Sequence, residues 1–157
     1  MLDPRLPSVE ELVEVCASRM WAQRVVDGGP FGDVEALLNR ADLVLAALPE
    51  AELDAALEGH PRIGARVDNP SSRREQAGMA EADGGLRAEL AVKNRAYEDR
   101  FGYVYLVCAS GRSAGELLAI LNERLHNDPA TEREVMRAEL MKINRLRLQR
   151  LANEDVP

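Results

Sequence analysis

Only two side chains in this sequence, His60 and His126, carry an ordinary pKa near neutrality, so proton transfer at neutral pH has few sources. His60 is the better placed of the two. Gly59 supplies a helix stop immediately before it, and Pro61 biases its backbone away from α geometry, which fixes the direction in which the imidazole leaves the chain. A histidine in that place also suits a plainer role, satisfying the last carbonyls of the helix, and spacing alone leaves both readings open. His126, closing the helix that Ser113 opens, fits the plainer role better. From 62 to 74, just past His60, the charge is locally reversed: Arg62, Arg66, Arg73 and Arg74 stand against Asp68 alone, in a chain of net charge −7. Such a stretch attracts a small anion. Ser72-Arg73-Arg74-Glu75-Gln76 then gathers a hydroxyl, a carboxylate and an amide within one helical turn. Ser72 and Glu75 equally spell a capping box, and the two readings coexist if the N–H groups of that helix start face an anion. Gly-rich phosphate loops, HExxH and GxSxG are absent.

These residues need elements to hold them, and the apolar period supplies most. Val34, Leu37, Leu38, Ala41, Val44, Leu45 and Leu48 recur at helical spacing behind Asp33, a good N-cap. A second helix begins at Pro49, places Leu53, Ala56 and Leu57 on one face and meets Gly59. Capping boxes at Ser8/Glu11 and Ser113/Glu116 open two more, the first running through Leu12, Val15 and Cys16, the second through Leu117, Leu121 and Leu125. Gly84 to Arg100 is helical by composition, with Leu86, Leu90, Lys93 or Asn94, and Tyr97 on one face. From Asp128-Pro129 the longest helix turns Met136, Leu140, Ile143 and Leu146 inward and leaves Arg145, Arg147 and Arg150 to solvent or a partner; residues from Asn153 to Pro157 should fray. One stretch breaks the pattern. Tyr103-Val104-Tyr105-Leu106-Val107-Cys108-Ala109, between Gly102 and Gly111, is strand-like in a protein with no second strand, so its backbone groups must find partners outside a sheet, and a ligand is one such partner.

Composition agrees with a helical protein. Straight-chain helix formers dominate, whereas Thr occurs once and Ile three times. At 157 residues, 46% of them hydrophobic, the chain is long enough for one core, read as a single domain over 1–157. No window approaches the roughly 18 apolar residues that span a bilayer, and the N-terminal stretch lacks a basic segment followed by an apolar one, so the chain reads as cytoplasmic with no membrane partner. Net charge of −7 with 4% aromatic residues argues against nucleic acid. Cys16 and Cys108 stand alone, which predicts neither a disulfide nor structural zinc. The histidines lack close metal-ligand spacing, which weakens a metal-site reading.

The ordered set Trp21, Pro30-Phe31, His60-Pro61-Arg62-Ile63-Gly64, Ser72-x-x-Glu75-Gln76, Asn94-x-x-Tyr97, Phe101-Gly102-Tyr103-Val104-Tyr105, Gly111-Arg112 and Ile143-Asn144-Arg145-Leu146 resembles the 2-oxo-4-hydroxy-4-carboxy-5-ureidoimidazoline (OHCU) decarboxylases of urate degradation. The resemblance runs over nearly the whole chain. It implies an all-α bundle with one extended substrate-binding segment, no cofactor, no metal, and a homodimer functionally coupled to a 5-hydroxyisourate hydrolase. It implies decarboxylation of an anionic ureidoimidazoline to (S)-allantoin, with His60 as catalytic acid/base and Glu75 beside it. Pro61, Ser72, Arg73, Arg74, Glu75, Gln76, Tyr105, Leu106, Val107, Cys108 and Ala109 would line the substrate site. Two departures stand out: Gly29-Pro30-Phe31 where the family often has Arg-Pro-Phe, and Tyr103-Val104-Tyr105 where it often has Phe-Pro-Phe, so hydroxyls are added while the apolar rings are kept. The rival reading is a helical interaction module that docks a partner on the arginine run of the last helix.

Overall fold

The computed structural model describes residues 7–63, 77 and 84–153. Among them are seven helices and no strand: α1 (Val9–Val15), α2 (Arg19–Asp27), α3 (Val34–Ala46), α4 (Glu50–Leu57), α5 (Gly84–Phe101), α6 (Ala114–Arg124) and α7 (Pro129–Asn153). The all-α expectation holds. None of these helices is long and apolar enough to cross a membrane. The chain divides into two compact units, residues 1–59 with 141–157, and residues 60–140.

In the first unit the predicted caps form as drawn. Ser8 Oγ accepts the Glu11 N–H at 3.1 Å while Glu11 returns a carboxylate oxygen to the Ser8 N–H at 3.0 Å, and Asp33 accepts the Ala36 N–H at 2.8 Å. Helix α2 was not evident from the pattern. Its N-cap Ser18 accepts from the Trp21 N–H and donates to Glu52, and its buried face is only Trp21, Ala22 and Val25, too short a repeat to stand out. Helix α1 packs on α2 and α2 on α3, where the Trp21 indole N–H donates to the Ala41 carbonyl at 3.3 Å.

The helix stop before His60 forms where expected: α4 ends at Leu57, Glu58 caps it in right-handed geometry, and Gly59 follows without the positive φ found at Gly102 and Gly111 among the described residues. A Cβ at Gly59 would stand 3.3 Å from that of Ala17. One expectation is corrected: the arginines of the last helix are not left outside. Arg145 pairs with Glu35 and Asp42, and Arg147 is buried and donates to the Val15 carbonyl at 3.0 Å. Leu148 is fully buried, whereas Leu146 is only partly so. The observation that motivated an interaction module is therefore gone.

Cys16 sits at the end of α1 with 1% of its surface exposed. Both cysteines are free. Burial pushes the Cys16 thiol up to about 11, against smaller opposing pulls from Asn144 and then the Arg147 guanidinium. A thiol whose folded value is raised stabilises the fold fully below its unfolded value near 9, and that contribution is lost as pH rises through about 11. Chemical denaturation at stepped pH should accordingly show native stability falling more steeply between pH 9 and 11 than that of Cys16→Ala; parallel slopes would contradict it.

The second unit is built on α5 packed against α6. Its core gathers Leu90 and Tyr97 from α5, Leu117, Leu118 and Leu121 from α6, and Tyr105, Val107 and Ala109 from the connection between them. Tyr97 is the hub, with ring centroids of Phe101, Tyr105 and Tyr103 at 4.7, 5.4 and 5.8 Å. Residues 129–140 of α7 belong to this unit too, with Met136 and Leu140 fully buried.

Candidate active site

The chain leaves α4, turns through Glu58 and Gly59, and presents His60 half-buried, followed by half-buried Pro61. Beyond them the backbone is pinned by α5. Asn94, 4% exposed, donates its side-chain N–H to the Ile63 carbonyl at 3.1 Å, and Ile63 inserts into the core cluster that also holds Tyr105, Val107 and Ala109. Ile63, two residues past Pro61, thus packs in the same core as the extended segment. Arg62 lies between, its guanidinium forked onto Glu98 of α5 at 2.7 and 2.9 Å. That pairing changes the charge argument. Arg62 is matched by a carboxylate, so the local excess of positive charge rests on Arg66, Arg73 and Arg74, which lie outside the described residues. A cleft of about 220 Å³ opens beside the turn, lined by Arg62, Ile63, Arg87, Ala91, Asn94, Arg95 and Glu98. His60 is not among its walls.

Residues 104–109 run without turn or bend between Gly102 (φ 82°) and Gly111 (φ 77°), two left-handed positions that suit glycine. The segment is buried at Tyr105, Leu106, Val107 and Ala109, with Cys108 half-buried. As the strand-like sequence suggested, it runs straight, and it pairs with no strand among the described residues. Charged side chains take part of the place of a neighbouring strand. The Arg124 guanidinium donates to the Leu106 carbonyl at 2.7 Å, and the Cys108 N–H donates to Glu139 at 3.1 Å. Tyr105 adds its hydroxyl, donated to the Leu117 carbonyl at 3.0 Å.

Arg124 itself is held on several sides. Glu132, fully buried, receives its Nε and Nη2, the latter at 2.5 Å, and also receives the Tyr97 hydroxyl. The guanidinium carbon lies 4.9 Å from the Tyr105 ring centre and 5.8 Å from that of Tyr97. Burial alone would lower the Arg124 pKa; the hydrogen bonds and charge of Glu132 outweigh it and hold the group above its usual value. Burial, reinforced by the Glu132 contact, drives the Tyr97 hydroxyl far above its ordinary range, and burial does the same at Tyr105 against the pull of Arg124. Both stay protonated donors at any working pH.

Of the residues expected at the site, His60, Pro61 and Tyr105 to Ala109 fall in this second unit. Ser72, Arg73, Arg74, Glu75 and Gln76 lie outside the described residues. Asn94, Arg124, Glu132 and Glu139 carried no assigned role in the sequence. Asn94 and Tyr97 at spacing three were visible as one helix face; the buried charges of α6 and α7 gave no signal at all.

An all-helical protein with a histidine-proline turn and an extended segment fastened by buried charges is the class this fold and site define. The chain belongs to the OHCU decarboxylase family, whose model matches residues 4–149. It is 32% identical to a 2-oxo-4-hydroxy-4-carboxy-5-ureidoimidazoline decarboxylase of Amia calva, over 90% of this chain and 82% of that one. It is 30% identical to the uric acid degradation bifunctional protein TTL of Arabidopsis thaliana over 88% of this chain, but spans only 45% of that protein. A crystal structure of OHCU decarboxylase in the presence of (S)-allantoin superposes with a TM-score of 0.82 at 28% identity, covering 92% of this chain and 98% of that one.

Proposed function

We propose that this chain, acting as one domain, decarboxylates OHCU to (S)-allantoin, as a cytoplasmic homodimer supplied by a 5-hydroxyisourate hydrolase. What supports this most is the pairing of a positioned His60 with a fixed extended segment, in a chain that belongs to this family. The reading is chemically economical. The substrate carries a hydroxyl and a carboxylate on one ring carbon, next to a carbon double-bonded to a ring nitrogen. As the bond to the carboxylate carbon breaks and CO₂ departs, its electron pair forms a double bond between the two ring carbons. The former imine pair moves onto nitrogen, which takes up a proton. The resulting enol then loses its hydroxyl proton, becoming the ring carbonyl, while the neighbouring carbon gains a proton. The electron sink lies within the substrate.

Protein is still needed for two things. One is to hold the carboxylate out of the ring plane, so that the breaking bond overlaps the imine. The other is to bring a proton to one face of the flat carbon, a task for a positioned acid/base such as His60. Pro61 and the backbone of Tyr105 to Ala109 would orient the ring and ureido amides. Ser72, Arg73, Arg74 and Gln76 would hold the polar edge and the carboxylate, with Glu75 as the second catalytic group. The test is a rate. With substrate generated in place by urate oxidase and the hydrolase, catalytic amounts of this protein should accelerate the decay of substrate absorbance; folded protein that leaves the decay unchanged would refute the proposal.

A further inference from the structure

In an extended chain the N–H and C=O of one residue share an edge, and alternate residues face opposite edges. Leu106 and Cys108 therefore share one edge of the 104–109 segment, and Val107 offers its two backbone groups on the other. The first edge is the one occupied by buried charges: Arg124, 5% exposed, holds the Leu106 carbonyl, and Glu139, 7% exposed, holds the Cys108 N–H. On the second edge, neither backbone group of Val107 makes a hydrogen bond with another described residue, although Val107 is only 3% exposed. Buried backbone groups are rarely left open without a purpose. Buried charges have an alternative as well, since an apolar pair of similar volume would commonly be as stable. What the charges supply here, and an apolar pair could not, is a donor and an acceptor that set the rotation of an unpartnered strand.

We infer that Arg124 and Glu139 are positioning residues for the decarboxylation, fixing one edge of residues 104–109 so that Val107 presents its N–H and C=O together to the amide or ureido groups of the ligand. The inference rests on the reading of Tyr105 to Ala109 as substrate-binding. Neither side chain touches substrate in this account; each acts through the backbone it holds. Glu132 and Tyr97 belong to the same device, because they fix the plane of the Arg124 guanidinium.

The test uses the full chain, labelled with ¹⁵N and titrated with (S)-allantoin, alongside steady-state kinetics of four proteins. These are the native protein, Glu139→Gln, Glu139→Ala, and the apolar triple variant Tyr97→Phe/Arg124→Met/Glu132→Leu. In the native protein the Val107 amide should shift on titration; saturable binding without any shift at 105–109 would refute the reading of the segment itself. Glu139→Gln keeps an acceptor for the Cys108 N–H and should stay within about 3-fold of native kcat/KM. Glu139→Ala should lose roughly 10- to 100-fold, carried mainly by KM and weakened allantoin binding. The triple variant removes the pair without stranding a charge, so it should fold and show a similar loss. The positioning role is overturned if Val107 shifts in native protein while the folded triple variant binds and turns over as native does, or if Gln and Ala at 139 behave alike.

Discussion

Replacing His60 with Ala should cost about 10²- to 10⁴-fold in turnover, the range typical of one positioned acid/base, while leaving the melting temperature nearly unchanged. The two halves of that result have separate physical origins. The loss follows from the chemistry: after CO₂ leaves, product forms only as a proton reaches the neighbouring carbon, and solvent is a poorly oriented donor. In free-energy terms the range is roughly 3–5 kcal/mol of activation barrier. The stability should survive because His60 is half-buried and lies after the end of α4, where the helix is already capped through the Glu58 N–H on the Asp54 carbonyl. Pro61 and the Asn94 bond to Ile63 continue to hold the turn without the imidazole. Steady-state kinetics and a thermal melt on the same preparation decide it. Near-native turnover would remove His60 from the mechanism, and a large fall in melting temperature would make it a structural residue instead.

The second large effect concerns stability. Glu132→Ala should destabilise the protein by about 3–5 kcal/mol, because truncation strands the buried Arg124 guanidinium and removes the acceptor of the Tyr97 hydroxyl. For a chain of this size that amounts to a melting temperature lower by roughly 6–20 °C. The loss measures an unpaired buried charge rather than the worth of the ion pair. Exposed pairs offer the control: Arg19 and Glu10, 3.8 Å apart and both more than two-thirds exposed, should cost less than about 1 kcal/mol when broken. Denaturant unfolding of Glu132→Ala beside Glu10→Ala tests the contrast. Equal small losses would mean that the Arg124–Glu132 pair is not held away from water.

Most of this architecture could be read from local chemistry. Helix α3 was legible because its buried face repeats over three turns behind Asp33, and α1 and α6 because their capping boxes are spelled within four residues. The extended segment was legible from its β-branched and aromatic residues between two glycines. Helix α2 escaped because Ser18 and three buried residues are too little pattern. The charged interior of α7 escaped for a different reason. Glu139 and Arg147 are buried beside partners 31 and 132 residues away, and Glu132 beside one on the preceding helix, so the pattern of α7 alone does not contain the compensation that lets a charge be buried. By its residue types that helix face reads as solvated, and the fold makes it an interior. The site divides along the same line. His60-Pro61 could be found as a dipeptide at a helix exit, but its fastening by Asn94, and that of Leu106 and Cys108 by Arg124 and Glu139, are long-range facts.

The handedness of the product reports on the decarboxylation and its protonation step together. In water the flat carbon next to the one that lost CO₂ takes its proton from either face, so unassisted decay yields racemic allantoin and no circular dichroism. With urate oxidase and 5-hydroxyisourate hydrolase generating substrate in place, addition of this protein should produce a rapid circular dichroism signal of (S)-allantoin, and addition of His60→Ala should not. A folded native protein that leaves the product racemic would refute stereocontrolled decarboxylation by this chain.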